Sequence, residues 1–337
     1  MLSGKARQVL NDPRLIAERD AWFARLASHF DRNIRNQPFR LAGHVAGVNS
    51  GFLDTSPEKR MGESLETLAG MISDTGSPDD GRFRPRCVEC PFYGVHFIDK
   101  IFGADVFWMD DNWHSRHLKT PVGALEFPDL ENDKTWAMAR RTAQAFVESG
   151  VQLPLFGMPT LSSALNIAVN LYGQEILTAM LEEPDAARHD LRVVNDLIMT
   201  LHKWYIANVP EANLQPVISW WRTQPPGHGQ LCGCTTQLVS GEQYAEFIAP
   251  LDNALLGLYP RGGMIHLCGA HAQHASVIRD MPNVRAVQVN DRAAHDLPVW
   301  YSTLRDDQMI YFEPCAKMPP ERAFEITNGG DRLVITA

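Results

Sequence analysis

Gly263-Met264-Ile265-His266-Leu267-Cys268-Gly269 sets an imidazole and a thiol two residues apart in an apolar run bounded by glycines. Such a run reads as a short buried strand. Strand side chains alternate between faces, so His266 and Cys268 project together from one edge of a sheet. Met264 shares their face, while Ile265 and Leu267 pack on the other. Imidazole nitrogen and thiolate sulfur are the two usual protein donors to zinc. The pair also reads as alternating core residues, cysteine being a commonly buried type. A metal needs a third donor. Cys315, closing Tyr311-Phe312-Glu313-Pro314-Cys315 at the end of the apolar run Met309 to Phe312, is the best candidate.

Other groups able to do chemistry fall where strands are expected to end. Gly103 to Asp111 places Asp110 and Asp111 just past an apolar run, either at the C-terminal edge of a strand or as caps of the next segment. Val217 to Trp221 reads as a strand with Trp220-Trp221-Arg222 at its end. Adjacent tryptophans in a strand face opposite ways, so one can wall a pocket and stack on a flat ligand. Cys234, Asn290 and Asp291 also lie at or past expected strand ends. Asp110 and Asp291 are the candidates for substrate positioning or proton handling. Trp220, Trp221, Arg222 and Cys234 are the candidates for substrate contact. Cys87-Val88-Glu89-Cys90 could be half a zinc knuckle or a redox pair, but it lacks the usual second C-x-x-C. His271 and His274 each read first as surface or satisfied histidines.

The elements that must carry these groups alternate. Residues 1 to 36 are expected to be helical, with Asn11-Asp12-Pro13 as a capped start and Trp22, Phe23, Leu26 and Phe30 at helical spacing. A strand over Phe39 to Val48 and a helix over Pro57 to Ile72 follow. Strand and helix then repeat around eight times with short connections, including an N-cap at Ser240-Gly241-Glu242-Gln243. This pattern predicts one domain over residues 1–337: an α/β fold, a closed (β/α)8 barrel with an N-terminal helical extension. Barrel function sits at the C-terminal ends of strands, where the candidates above cluster.

Composition narrows the function classes. The formal net charge is −9 and no basic stripe appears, which argues against a nucleic-acid partner. No segment offers about 18 uninterrupted apolar residues, and the N-terminus lacks the apolar core of a signal peptide. The expectation is a soluble cytoplasmic protein. In such a compartment six cysteines suggest metal or redox chemistry more than a disulfide framework.

Over about residues 95 to 330 the chain resembles the uroporphyrinogen decarboxylase superfamily, within it the corrinoid-dependent methyltransferases. Gly103-Ala104-Asp105-Val106-Phe107-Trp108-Met109-Asp110 resembles the family's strand ending in an acid. Phe156-Gly157-Met158-Pro159-Thr160-Leu161 resembles its proline-centred turn, and Glu182-Glu183-Pro184-Asp185 its helix start. Ser240 to Pro250 resembles its "Ser-Pro-x-x-Phe/Tyr-x-x-Phe-x-x-Pro" helix and is the most specific of the set. Met264 to Gly269 resembles the methyltransferases' zinc motif, His-x-Cys followed much later by a cysteine. The resemblance implies a TIM barrel and zinc held by His266, Cys268 and Cys315. It implies an activated thiol, or a pterin, exchanging a methyl group with a corrinoid. That corrinoid would be carried on a partner protein, since the chain shows no Asp-x-His-x-x-Gly motif; a homodimer is compatible with the resemblance. The 46 residues between Cys268 and Cys315 are fewer than the family pattern leads one to expect. Glu313, Cys234 or His271 are the alternative third donors. The competing expectation is a metal-independent decarboxylase, in which Arg40 and Arg222 would bind substrate carboxylates; Arg40-Leu41-Ala42-Gly43-His44 matches that branch's arginine motif only faintly.

Overall fold

The strands run β1 Phe39–Leu41, β2 His44–Gly47, β3 Arg86–Glu89, β4 Val106–Met109, β5 Asn112–Ser115, β6 Leu155–Gly157, β7 Leu214–Gln215, β8 Gly229–Cys232, β9 Gly263–Cys268, β10 Val284–Asn290, β11 Met309–Phe312 and β12 Leu333–Thr336. The structure is a computed structural model that describes residues 2–47, 55–75, 80–215 and 220–336. Six strands form one parallel sheet in the order β1-β12-β11-β10-β9-β8, and four form a second in the order β2-β3-β6-β7. The sheets meet where the chain passes from β1 to β2: Leu41 at the end of β1 bridges in parallel to Phe83, just ahead of β3. Helices fill the connections, as a parallel sheet requires.

Side-chain alternation sorts the interior into two cores. Ile265 and Leu267 of β9, Val287 and Val289 of β10, Ile310 and Phe312 of β11, and Leu333 and Ile335 of β12 pack outward among the helices. Met264, Ala286, Met309, Tyr311 and Val334 of the same strands point the other way, into a second core with Phe39, Leu41, Phe83, Cys87 and Leu155. The expected faces of Met264, Ile265 and Leu267 are thus observed. The helix Pro13–Phe30, capped by Asp12 with proline in its first turn, delivers Phe23, Leu26 and Phe30 into that second core. Each such side chain contributes roughly 2 kcal/mol of burial.

Three readings of the strands are corrected. Val106–Met109 is not a member of the parallel sheets; it pairs antiparallel with β5 in a hairpin. Asp110 and Asp111, at φ 50° and 56°, form its two-residue turn. A turn with both central residues at positive φ matches strand twist, and aspartate tolerates that backbone. Residues 217–219 of the strand expected over Val217 to Trp221 lie outside the described residues, and Trp220–Arg222 forms a single 3-10 turn. Conversely, Arg86–Glu89 and Gly229–Cys232, for which no strand was expected, are strands β3 and β8.

The helical motif from Ser240 onward forms as expected, with a full capping box between Ser240 and Gln243. Its middle, Tyr244–Ile248, is π-helical, and the Ala249 N–H donates back to the Tyr244 carbonyl. Pro250 explains the widened turn: it has no N–H to give the preceding turn, and its ring would strike that turn's carbonyl. Among the described residues no helix is long and apolar enough to cross a membrane.

Candidate metal centre

β9 lies between β8 and β10, and its register sets the centre. Cys232 of β8 and Gln288 of β10 are both paired with His266. In-register neighbours on parallel strands share a face, so the three side chains stand side by side on the face of Met264. Cys268 follows at the end of β9, level with Asn290. Past Cys232 the chain continues to Gly233, whose N–H donates to the His266 carbonyl at 2.8 Å. A side chain at 233 would press on Ile265 Cγ2 at 3.1 Å, so this close approach favours glycine. The chain then turns into the 3-10 helix Cys234–Leu238. The ligand atoms of Cys234, His266 and Cys268 consequently lie within 4.8 Å of one another.

Hydrogen bonds set the protonation of each donor. His266 is 5% exposed, and its Nδ1 contacts the Gln288 Oε1. A carbonyl oxygen only accepts, so Nδ1 carries the proton and Nε2 keeps its lone pair. Burial first, and then the Arg222 charge, hold the imidazole neutral, far below its usual range. Arg222 Nη2 donates to His266 Nε2 at 3.3 Å, and Arg222 Nη1 lies 3.5 Å from Cys232 Sγ. A hydrogen bond from the Cys234 thiol pulls Cys268 down to about 7 and drives Cys234 itself up. Of the two sulfurs, Cys268 is therefore the one that ionises first, with the Cys234 thiol as its donor. Burial and the Asp291 charge oppose this at Cys268, while the Arg222 charge favours it.

The support behind Cys268 comes from the loop that follows it. His271 Nε2 donates to the Cys268 carbonyl at 2.9 Å, and its Nδ1 meets the Thr236 hydroxyl at 3.1 Å. His274 Nε2 donates to the Thr236 carbonyl at 2.8 Å. Both histidines are buried, and burial lowers His271 to about 4. His271 is a satisfied histidine, as its first reading had it, whereas His274 Nδ1 is buried without a hydrogen-bond partner; both are interior and brace the 3-10 helix carrying Cys234.

The sequence candidates divide accordingly. His266, Cys268, Cys234 and Arg222 come together. Cys315 lies outside that group of donors; it follows β11, which β10 separates from β9, and its N–H donates to Met318 O at 3.1 Å. Adjacent strands are spaced by roughly 4.8 Å, so a residue leaving β8 reaches the end of β9 more readily than one leaving β11. Asp291, at φ 50°, stands exposed just past β10, near enough that its charge raises Cys268. Asp110 is exposed at the hairpin turn. Trp221 is half-buried in the turn that carries Arg222, and the side chain of Trp220 lies outside the described residues. Cys87 and Cys90 are free thiols that point into different cores, so they form no knuckle. Sequence reasoning missed Cys232 and Gln288. Gln288 could have been found by counting alternate residues along the apolar stretch Arg285 to Val289.

Two thiols and a neutral imidazole are a zinc-type donor set, and an Nδ1–H held by a carbonyl oxygen is the usual outer support of a ligating histidine. The residues present therefore fit such an ion. No protein-family model matches the chain, and no curated protein matches it. Among solved structures, a methyltransferase from Methanosarcina mazei is similar over 92% of this chain and 90% of that chain, with a TM-score of 0.61 and 12% sequence identity. Likeness at that identity is a likeness of fold, and it places this chain's α/β architecture beside that protein's.

Proposed function

We propose that this chain is a zinc-dependent methyltransferase that moves a methyl group between a corrinoid, carried on a partner protein, and a thiol or pterin acceptor. The observation that carries the reading is the cluster Cys234–His266–Cys268 at the C-terminal end of β9. Cys234 stands as the third donor in place of Cys315. The similar fold of a protein that is itself a methyltransferase agrees with this reading. Zinc, when bound, lowers the pKa of a coordinated thiol so that the thiolate prevails at neutral pH. The chain's own residues prepare for it. Gln288 fixes the tautomer of His266, Cys268 is available as thiolate, and His271 holds the Cys268 backbone.

The same reading takes the fold as a closed (β/α)8 barrel in one domain. Support for closure comes from the second core, which strands of both sheets fill together. Gln224 also spans from β7 to β8: its N–H donates to Gln215 Oε1 at 3.4 Å and its Nε2 to Gly229 O at 2.9 Å. A cytoplasmic enzyme, with a homodimer as its compatible assembly, completes the proposal. The decarboxylase alternative finds less support. Arg40 is exposed on β1 between the inward Phe39 and Leu41, with its guanidinium 5.8 Å from the Phe324 ring.

Elemental analysis of purified protein tests the metal. About one zinc per chain is expected in the wild type and in Cys315→Ser, and loss is expected in His266→Ala and Cys234→Ser. Loss with Cys315→Ser and retention with Cys234→Ser would return the third position to Cys315. Zinc-dependent demethylation of methylcobalamin by a thiol, followed by its visible spectrum, tests the reaction; a zinc-loaded protein inert with every thiol and pterin acceptor would overturn it.

A further inference from the structure

We propose that Arg222 guards the metal site: its guanidinium holds the His266 lone pair in the metal-free protein and must swing aside before a metal can bind. The inference rests on the metal-site reading above. A neutral imidazole has one lone pair. In His266 the Nδ1 proton is committed to Gln288, so Nε2 is the donor left for a metal. That same lone pair accepts the Arg222 Nη2 proton at 3.3 Å. The hydrogen bond and a metal–nitrogen bond therefore exclude each other. Arg222 Nη1 extends the block to Cys232 Sγ at 3.5 Å, beside the thiols that would complete the site. A guanidinium also stays charged, so a divalent cation in this position would face a like charge at close range.

The side chain is free to leave without unsettling its turn. Its backbone is tied separately, by Gln230 Nε2 donating to the Arg222 carbonyl at 2.6 Å. Its Nε is buried with no hydrogen-bond partner, so no third bond pins the guanidinium in place. The residue is only partly buried, which leaves a route toward solvent.

A guard of this kind lowers apparent affinity by the fraction of time that the binding-competent state exists. Zinc affinity is measured on the full chain by competition with a chromophoric chelator, in the wild type, Arg222→Met, Arg222→Lys and His266→Ala, with circular dichroism confirming the fold of each. Arg222→Met is expected to bind zinc about tenfold more tightly, which corresponds to a lone pair free about one-tenth of the time. Arg222→Lys, which can still donate an N–H, should stay near the wild type. Zinc held by Arg222→Met and not by the wild type would support the guard strongly. Arg222→Met matching or falling below a wild type whose binding depends on His266 would overturn the guard and leave the metal site standing. Zinc binding by none of the variants, wild type included, would overturn both.

Discussion

His266 can offer Nε2 to a metal only while its other nitrogen stays protonated, and that condition rests on Gln288. Gln288→Leu removes the acceptor and leaves a buried N–H unpaired beside a lone pair that is no longer fixed in place. Zinc affinity in this variant is expected to fall by about 10- to 100-fold, as with other outer partners of ligating histidines. Chelator competition checks this, and unchanged affinity would mean that Gln288 does not set the tautomer. Cys268 and Cys234 show the same dependence on neighbours. Alkylation should label Cys268 in metal-free protein near pH 7, well before the buried Cys87 and Cys90, whose thiols burial pushes far up. Mass spectrometry of the modified peptides reads the order.

At the scale of elements, the centre depends on how closely β8 and β9 approach. Gly229 and Gly263 are paired at the start of these strands. A Cβ on Gly263 would strike the Gly229 backbone rather than a flexible side chain, so neither strand can yield cheaply. Gly263→Ala is expected to cost about 3 kcal/mol, at the upper end of ordinary substitutions, and to weaken metal retention by shifting His266 against Cys232. Thermal unfolding beside zinc content measures both. The helix that opens at Ser240 offers a milder contrast. Ser240→Ala loses one half of the capping box, for about 1 kcal/mol, with no effect on the metal.

Across the whole molecule, burial keeps several histidines neutral. His29 and His228 are lowered to about 4 and His202 to about 3, desolvation being the foremost cause in each. The unfolded chain binds protons at these positions near pH 6.5, whereas the folded chain does not until about 4 or below. Stability contributed by the neutral rings is therefore complete above pH 6.5 and is lost as pH falls toward 4, by up to about 1.4 kcal/mol per pH unit for each ring. Asp252 works in the opposite direction. Burial raises it to about 7, so its contribution declines as pH rises from about 4 to 7. The lowered rings, His266, His271 and His274 among them, outnumber the raised carboxyls Asp252 and Asp99, and the urea midpoint should drop between pH 6.5 and 4.5. An Asp252→Asn variant should steepen that drop, and a flat profile in the wild type would contradict the assignment.

The chain by itself determined the long helices, strands β9 and β11 and the face on which His266 and Cys268 stand, because those features follow from local periodicity. Trp22, Phe23, Leu26 and Phe30 could be placed on one helix without knowing what they cover. Short strands were less legible. Gly229-Gln230-Leu231-Cys232 has no β-branched residue, and Arg86-Cys87-Val88-Glu89 is bracketed by charges; the first is a strand because β9 accepts its backbone along one side, the second because β2 and β6 accept its backbone on both. Val106–Met109 carries a strong strand pattern and does form a strand, but its partner is the hairpin segment that follows it. Strand order was the decision left to the tertiary structure. It set β8 rather than β11 against β9, and so brought Cys234 to His266 and Cys268 and kept Cys315 apart, since strand adjacency depends on packing between distant segments and leaves no mark in local spacing.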